Sequence, residues 1–315
     1  MSADRNLNKI VKRSDLRSGL VIGAHFVFVL LPVYWAARLG PSLLWLVCWL
    51  WFGLTMQALL NLMHETAHLH VFKSRRANEW LGRWVLGPLM FTDFDRYREV
   101  HWAHHRHVGR EGDPKYSYRI DIRGVNSLKF LLRSLVLIEA IRKFRYVHGA
   151  ARPAVDGGQD RLWILRTFVL HGLLAGSLLL VAQGSLLKAL ITVGLVYGFV
   201  YFYGILSLTV MAANLRAIAE HQLHVEQLEA SGVAALRNLS STPLSWVIFG
   251  AYGFSDHASH HLNPAVPYYQ LLPETRRLAE QRNAADRGYF QVLFAMVVAR
   301  DESLSARRAR SVLMF

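Results

Sequence analysis

Residues 41–68 read PSLLWLVCWLWFGLTMQALLNLMHETAH, and this stretch decides the fold. From Pro41 to Met63 only Gln57 and Asn61 are strongly polar, and the run is long enough to cross a bilayer core of ~30 Å as a helix. No Pro or Gly interrupts it from Leu54 into His64 and His68. The spacing therefore predicts a membrane helix that continues out of the lipid and carries two imidazoles one turn apart. Three more runs behave alike. Residues 20–37 are apolar apart from His25, and 162–182 and 186–213 are interrupted by Arg166 and Lys188 near their ends. The expectation is an all-α integral membrane protein with four spans at about 20–37, 41–63, 162–182 and 186–213.

The turns between paired spans are short: Arg38-Leu39-Gly40-Pro41 and Gln183-Gly184-Ser185. Lys and Arg are scarce there and crowd the N-terminus (Arg5, Lys9, Lys12, Arg13, Arg17), the 64–161 segment and the tail. The positive-inside rule then puts both termini, and a cap made of 64–161 and 214–315, in the cytoplasm. A multi-pass protein of the cell inner membrane is expected. A cleaved signal peptide over residues 1–37 would leave an odd number of spans, so this stretch is read as a span. Shorter apolar stretches, Trp80 to Phe91, Phe130 to Ala140 and Pro243 to Phe254, fit interfacial helices or the core of the cap equally well. Residues 151–160 read as a loop. No repeat or separable domain is visible, and 1–315 is expected to form one integrated unit.

Two further histidine clusters join His64-Glu65-Thr66-Ala67-His68: His101-Trp102-Ala103-His104-His105 and His257-Ala258-Ser259-His260-His261. With 15 histidines in 315 residues, a chance HxxHH occurs at roughly one position in ten thousand, so two copies argue for a purpose. Positions i, i+3 and i+4 share a helix face, and each cluster is expected to aim its imidazoles at one point. Neutral imidazole is the commonest protein metal ligand and suits iron, zinc, copper and nickel. All three clusters fall on the predicted cytoplasmic side. The fourth span also continues past Asn214 to Glu220 and His221.

At this point the chain resembles the membrane-bound fatty acid desaturases and hydroxylases, integral membrane di-iron enzymes. The likeness covers roughly residues 20 to 275. It includes Gly109 and Asp113-Pro114 behind the second cluster. It also includes the tail Leu262-Asn263-Pro264-xx-Pro267-Tyr268-Tyr269-Gln270-Leu271-Leu272-Pro273 behind the third, and Arg216-xxx-Glu220-His221 after the last span. The resemblance implies nine ligands for two iron ions: His64, His68, His101, His104, His105, His221, His257, His260 and His261. His70, His107 and His224 sit off the pattern, with His224 one turn from His221 as its competitor. His25, His148 and His171 are not expected to ligate. Glu65, Asp93, Asp95, Glu99, Glu220 and Asp256 are candidates to accept the outer N–H of a ligating imidazole.

The activity so implied is O₂-dependent oxidation of an unactivated C–H in a fatty acyl or related lipid chain, with desaturation first. Hydroxylation, ketolation or decarboxylation to a terminal alkene would use the same site. A membrane metal transporter or a zinc hydrolase are rivals from other classes, although transporters place ligands near the bilayer midplane. A single cysteine, Cys48, cannot hold an iron–sulfur centre, and no dinucleotide or haem motif is present, so electrons need a separate donor such as a ferredoxin with its reductase. The net charge of +14 suits anionic lipid headgroups first and an acidic donor second. Nucleic-acid binding is not expected. Gly172-xxx-Gly176 and Gly194-xxx-Gly198 predict close packing within the second hairpin. The aromatic run Tyr197, Phe199, Tyr201, Phe202, Tyr203 predicts bundle packing before a substrate tunnel.

Overall fold

The computed structural model describes residues 14–148, 161–221, 236–267, 270–271 and 287–298. Among the described residues four helices are long and apolar enough to cross a membrane: α1 (Asp15–Leu39), α2 (Leu44–Ala67), α7 (Leu162–Val181) and α8 (Leu186–His221). Between α2 and α7 lie α3 (Arg75–Trp80), α4 (Phe94–His107), α5 (Val125–Leu135) and α6 (Ile138–His148). After α8 come α9 (Pro243–Ser245), α10 (His257–Leu262) and α11 (Tyr289–Val298). Among the described residues no strand forms, and only an isolated bridge joins Ser240 and Gly288. The chain is an all-helical membrane protein.

The four expected spans are all present, with different ends. α1 starts before its apolar run because Ser14 caps it, its hydroxyl accepting from the Arg17 amide at 3.3 Å, and Asp15 favours the positive end of the helix. Gly40, at φ 70°, then turns the chain toward α2, which begins at Leu44 rather than Pro41. α8 is the longest of the four and continues past Asn214 to His221, as expected. Its 36 residues reach about 54 Å, well beyond a ~30 Å hydrocarbon core, so one end carries side chains clear of the lipid. Two π-helical stretches, Tyr197–Tyr203 and Ile205–Thr209, widen α8 where it passes α2.

α2 is the most enclosed span and α7 the least. Close approach of α2 to α8 rests on two glycines: a Cβ on Gly53 would stand 2.6 Å from Leu208 Cβ, and one on Gly204 would stand 3.0 Å from the Phe52 ring. Thr209 Oγ1 donates to the Gly53 carbonyl at 2.7 Å in the same place. The glycine pairs singled out in the sequence do not do this. Gly172, Gly176, Gly194 and Gly198 have open space where a side chain would go, so the expected glycine packing of the second hairpin is corrected. Sequence spacing identifies a smooth stripe and leaves open which way it faces. Gly53→Ala should therefore cost about 1–3 kcal/mol by overpacking, whereas Gly172→Ala should change stability by no more than about 0.5 kcal/mol. Denaturation of both variants in detergent checks this, and equal stabilities would contradict it.

The aromatic run in α8 packs and ties. Tyr197, Tyr201 and Tyr203 donate to the carbonyls of His171 (3.1 Å), Leu89 (2.7 Å) and Leu135 (3.0 Å), and Trp49 stacks on Tyr203. The stretch from Trp80 to Phe91 is two-sided: Leu81, Leu86 and Leu89 are buried, while Trp80 and Trp84 are exposed, as an interfacial segment requires. The two strongly polar residues of the 41–63 run also have work. Gln57 donates to Asn61 at 2.7 Å, and Asn61 Nδ2 donates to the carbonyls of Phe249 (2.8 Å) and Ala251 (3.0 Å). They fasten the segment after α9 to the span, just ahead of the third histidine cluster. There Tyr252 (φ 60°) and Gly253 (φ 74°) take left-handed conformations and turn the chain into α10.

Candidate metal centre

Four helices bring the clusters together: the C-terminal end of α2, all of α4, the end of α8 and the short α10. α4 starts at Asp93, whose carboxylate accepts from the amides of Asp95 and Arg96. α10 is held by Asn238, which accepts from the Ser259 amide (3.1 Å) and donates to its hydroxyl (2.8 Å).

Nine imidazoles meet in two groups. One holds His64, His68, His101, His105 and His260, the other His104, His221, His257 and His261, and in each the nitrogens lie within 4.8 Å of one another. The clusters are therefore split rather than aimed at single points. His101 and His105 are i and i+4, about 40° apart around the helix, and share a group, whereas His104 lies about 60° to the other side and joins the second. In α10 the same rule pairs His257 with His261 and sends His260 across. The Nε2 atoms converge. In the first group His68–His101 is 2.7 Å, His105–His101 3.0 Å and His260–His105 3.3 Å. In the second, His257–His221 is 2.7 Å and His261–His257 3.1 Å. The groups adjoin, with the rings of His105 and His261 stacked at 4.1 Å.

The donor set fits a pair of transition-metal ions. His64 Nε2 is buried with no hydrogen-bond partner, and a ring of converging acceptor nitrogens satisfies itself only around a cation. The protonation states agree. Burial lowers His104 to about 4 and His105 to about 3, and it holds His68, His101, His257, His260 and His261 well below the usual histidine range. Neutral imidazoles at pH 7 accept a metal without first losing a proton to water.

Of the six carboxylates expected to accept the outer N–H of a cluster imidazole, Glu65 makes that contact, accepting from His64 Nδ1 at 2.9 Å and from His70 Nδ1 at 3.3 Å. This also explains the buried His70, which lies outside both groups. Glu220 stands differently from expectation: its Oε2 is 3.7 Å from His257 Nε2, the nitrogen that faces His221 and His261, while Tyr289 donates to Oε1 at 2.9 Å. Asp93 caps α4, Asp95 pairs with Arg83 at 2.7 Å, and Glu99 lies 3.7 Å from Arg96, so these three serve the scaffold. Asp256 immediately precedes α10.

Sequence reasoning assigned no role at the site to three neighbours, Asp113 among them although it lies in the motif behind the second cluster. Asp113 accepts from His104 Nδ1 at 2.8 Å and from the amides of Gly109 (2.9 Å) and Lys115 (3.0 Å). Burial alone would raise it, but His104, the Gly109 amide and Lys115 hold it below the usual carboxylate range. Gly109 and Gly112, at φ 64° and 88°, fold the loop back, and these glycines behind a histidine cluster were the available signal. Tyr118 Oη lies 3.3 Å from His221 Nδ1. Lys115 Nζ lies 2.7 Å from His221 Nε2 and 3.4 Å from His104 Nε2, and burial with nearby Arg216 brings the amine down to about 7. His25 bonds to the Tyr252 hydroxyl and His171 to the Pro88 carbonyl, both outside the two groups, and His107 is exposed. His224, Tyr268 and Tyr269 lie outside the described residues.

The family description Fatty acid desaturase matches the sequence over residues 40–293, four-fifths of the chain and all nine of these histidines. The chain belongs to the fatty acid desaturase family. Comparison with curated proteins and with solved structures finds no match. As a desaturase-family member the protein is an oxidoreductase of fatty acyl chains with a histidine-rich metal site, and its four apolar helices place it in a membrane.

Proposed function

We propose that this protein uses two iron ions, O₂ and external electrons to oxidise an unactivated C–H bond of an acyl chain, and that the outcome is desaturation. The observation that carries the reading is the division of nine imidazoles, eight buried and His105 half-buried, into adjoining groups of five and four within a desaturase-family chain. A methylene C–H has no acidic proton, so acid–base or nucleophilic side chains cannot attack it. Iron with O₂ supplies the oxidant such chemistry needs.

The chain's own part is to hold and orient. His64, His68, His101, His105 and His260 would bind one iron, and His104, His221, His257 and His261 the other. Glu65 and Asp113, by accepting the Nδ1–H of His64 and His104, fix the tautomer that leaves Nε2 free to ligate. Burial of the groups keeps bulk water from the reacting chain. The four spans form one unit with a cap on the cytoplasmic side, where a ferredoxin-like donor docks on a chain of net charge +14.

The test is to supply membranes holding the protein with deuterated fatty acid, ferredoxin, its reductase and ¹⁸O₂, then identify products by mass spectrometry. Desaturation predicts a product lighter by two deuterium atoms with no ¹⁸O on the chain. An ¹⁸O label on the chain replaces this reading with hydroxylation or ketolation, and loss of the carboxyl carbon replaces it with decarboxylation. Activity without O₂ in a preparation holding only zinc rejects an oxygenase altogether.

A further inference from the structure

The two groups are unequal. One offers five nitrogens and the other four, and the shortfall coincides with a side chain that no histidine pattern includes. Lys115 Nζ lies 2.7 Å from His221 Nε2 and 3.4 Å from His104 Nε2, both members of the smaller group. With metal–nitrogen bonds of about 2.1 Å, neighbouring ligand nitrogens stand about 3.0 Å apart at right angles and about 3.4 Å apart in a tetrahedron. The imidazole nitrogens of this group already show such edges, at 2.7 and 3.1 Å. Lys115 Nζ extends the same polyhedron by one vertex.

We infer that Lys115 is the fifth nitrogen ligand of the second metal, so that each ion is held by five nitrogens. The inference rests on the two-metal reading above. An amine gives a lone pair to a cation as imidazole does, and the proton it carries in water leaves for solvent as the metal enters. A purely electrostatic role fits less well. Among the described residues no carboxylate stands within ion-pair distance of Nζ: Glu220 acts on it only from farther off, and Asp113 reaches this residue through the backbone amide and uses its other contacts on His104 and Gly109. A cation parked against two ligand nitrogens would also oppose the charge of an arriving metal ion. The backbone arranges the placement: Asp113 holds His104 and the Lys115 amide at once, so the loop that orients one ligand delivers the next.

The experiment labels lysine side chains with ¹⁵N at Nζ, loads the full-length protein with iron, and generates the EPR-active mixed-valence state. Pulsed EPR then reads nuclei bonded to the metal. A strongly coupled ¹⁵N is expected, absent from Lys115→Met, and the second iron of that variant should be stripped at an about tenfold lower chelator concentration. Two irons bound with no lysine ¹⁵N coupling in the unsubstituted protein overturns the assignment of Lys115 and leaves the nine-histidine reading standing. A protein that binds no iron overturns both. The spectrum is taken on the natural sequence, so misfolding of Lys115→Met would not spare the inference.

Discussion

Replacing His221 by Ala is expected to abolish turnover and to lower iron from about two to about one per chain, with membrane insertion intact. His221 lies at the end of α8, outside the three obvious clusters, and its Nε2 stands 2.7 Å from His257 Nε2 in the four-histidine group. Its removal breaks one metal–nitrogen bond directly and leaves His257, His104 and His261 with a cation they cannot enclose. His104→Ala should give the same one-iron protein. His260→Ala should strip the other site, because His260 crosses to the five-membered group although it sits beside His261 in sequence. Metal analysis and Mössbauer spectra of the three variants therefore sort them two against one, whereas a reading of the clusters as separate sites would group His260 with His261. His107→Ala is the control, since that side chain is exposed. Full iron and full activity in His221→Ala would remove the residue from the centre and shift attention to His224.

The membrane architecture was legible because its signals are long. Runs of about twenty apolar residues and the scarcity of Lys and Arg at two turns suffice to find four spans, and an error of a few residues at the ends costs little. The candidate ligands were legible because histidine is rare and the spacings repeat. What sequence did not reveal was direction. Whether Gly172 or Gly53 faces a neighbouring helix, and whether His104 follows His101 or crosses to His221, depends on angles around an axis that only a packed neighbour fixes. The same holds for the carboxylates. Glu65 was found because it lies inside a cluster. Asp113 was passed over as an orienting group because nine residues and two left-handed glycines separate it from the imidazole it holds. Glu99 is nearer His104 in sequence and Asp95 no farther from it, yet both sit on the flank of α4 that meets arginines.

Asp113 therefore gives the second large effect. Asp113→Asn is nearly isosteric, and its amide oxygen can still accept one backbone N–H. The four-histidine group should nonetheless hold its metal about 10–100-fold more weakly, while the five-histidine group is unchanged. The reason is the tautomer. A carboxylate accepts from His104 Nδ1 at 2.8 Å and leaves Nε2 with a lone pair. His104 and the Lys115 amide share Oδ1 while the Gly109 amide meets Oδ2, so an amide either opposes its NH₂ to the Gly109 N–H or turns it toward the imidazole, which then presents an acceptor there and a proton at the metal. Glu65→Gln should do the same to the other group through His64, making the two variants mirror images in metal content. Chelator competition followed by metal counting separates them, and NMR of ¹⁵N-labelled histidine in the zinc-loaded protein reports the tautomer of each ring. If both variants hold two metals as tightly as the unsubstituted protein, the carboxylates do not orient the ligands, and their buried contacts serve only the packing of α2 and α4.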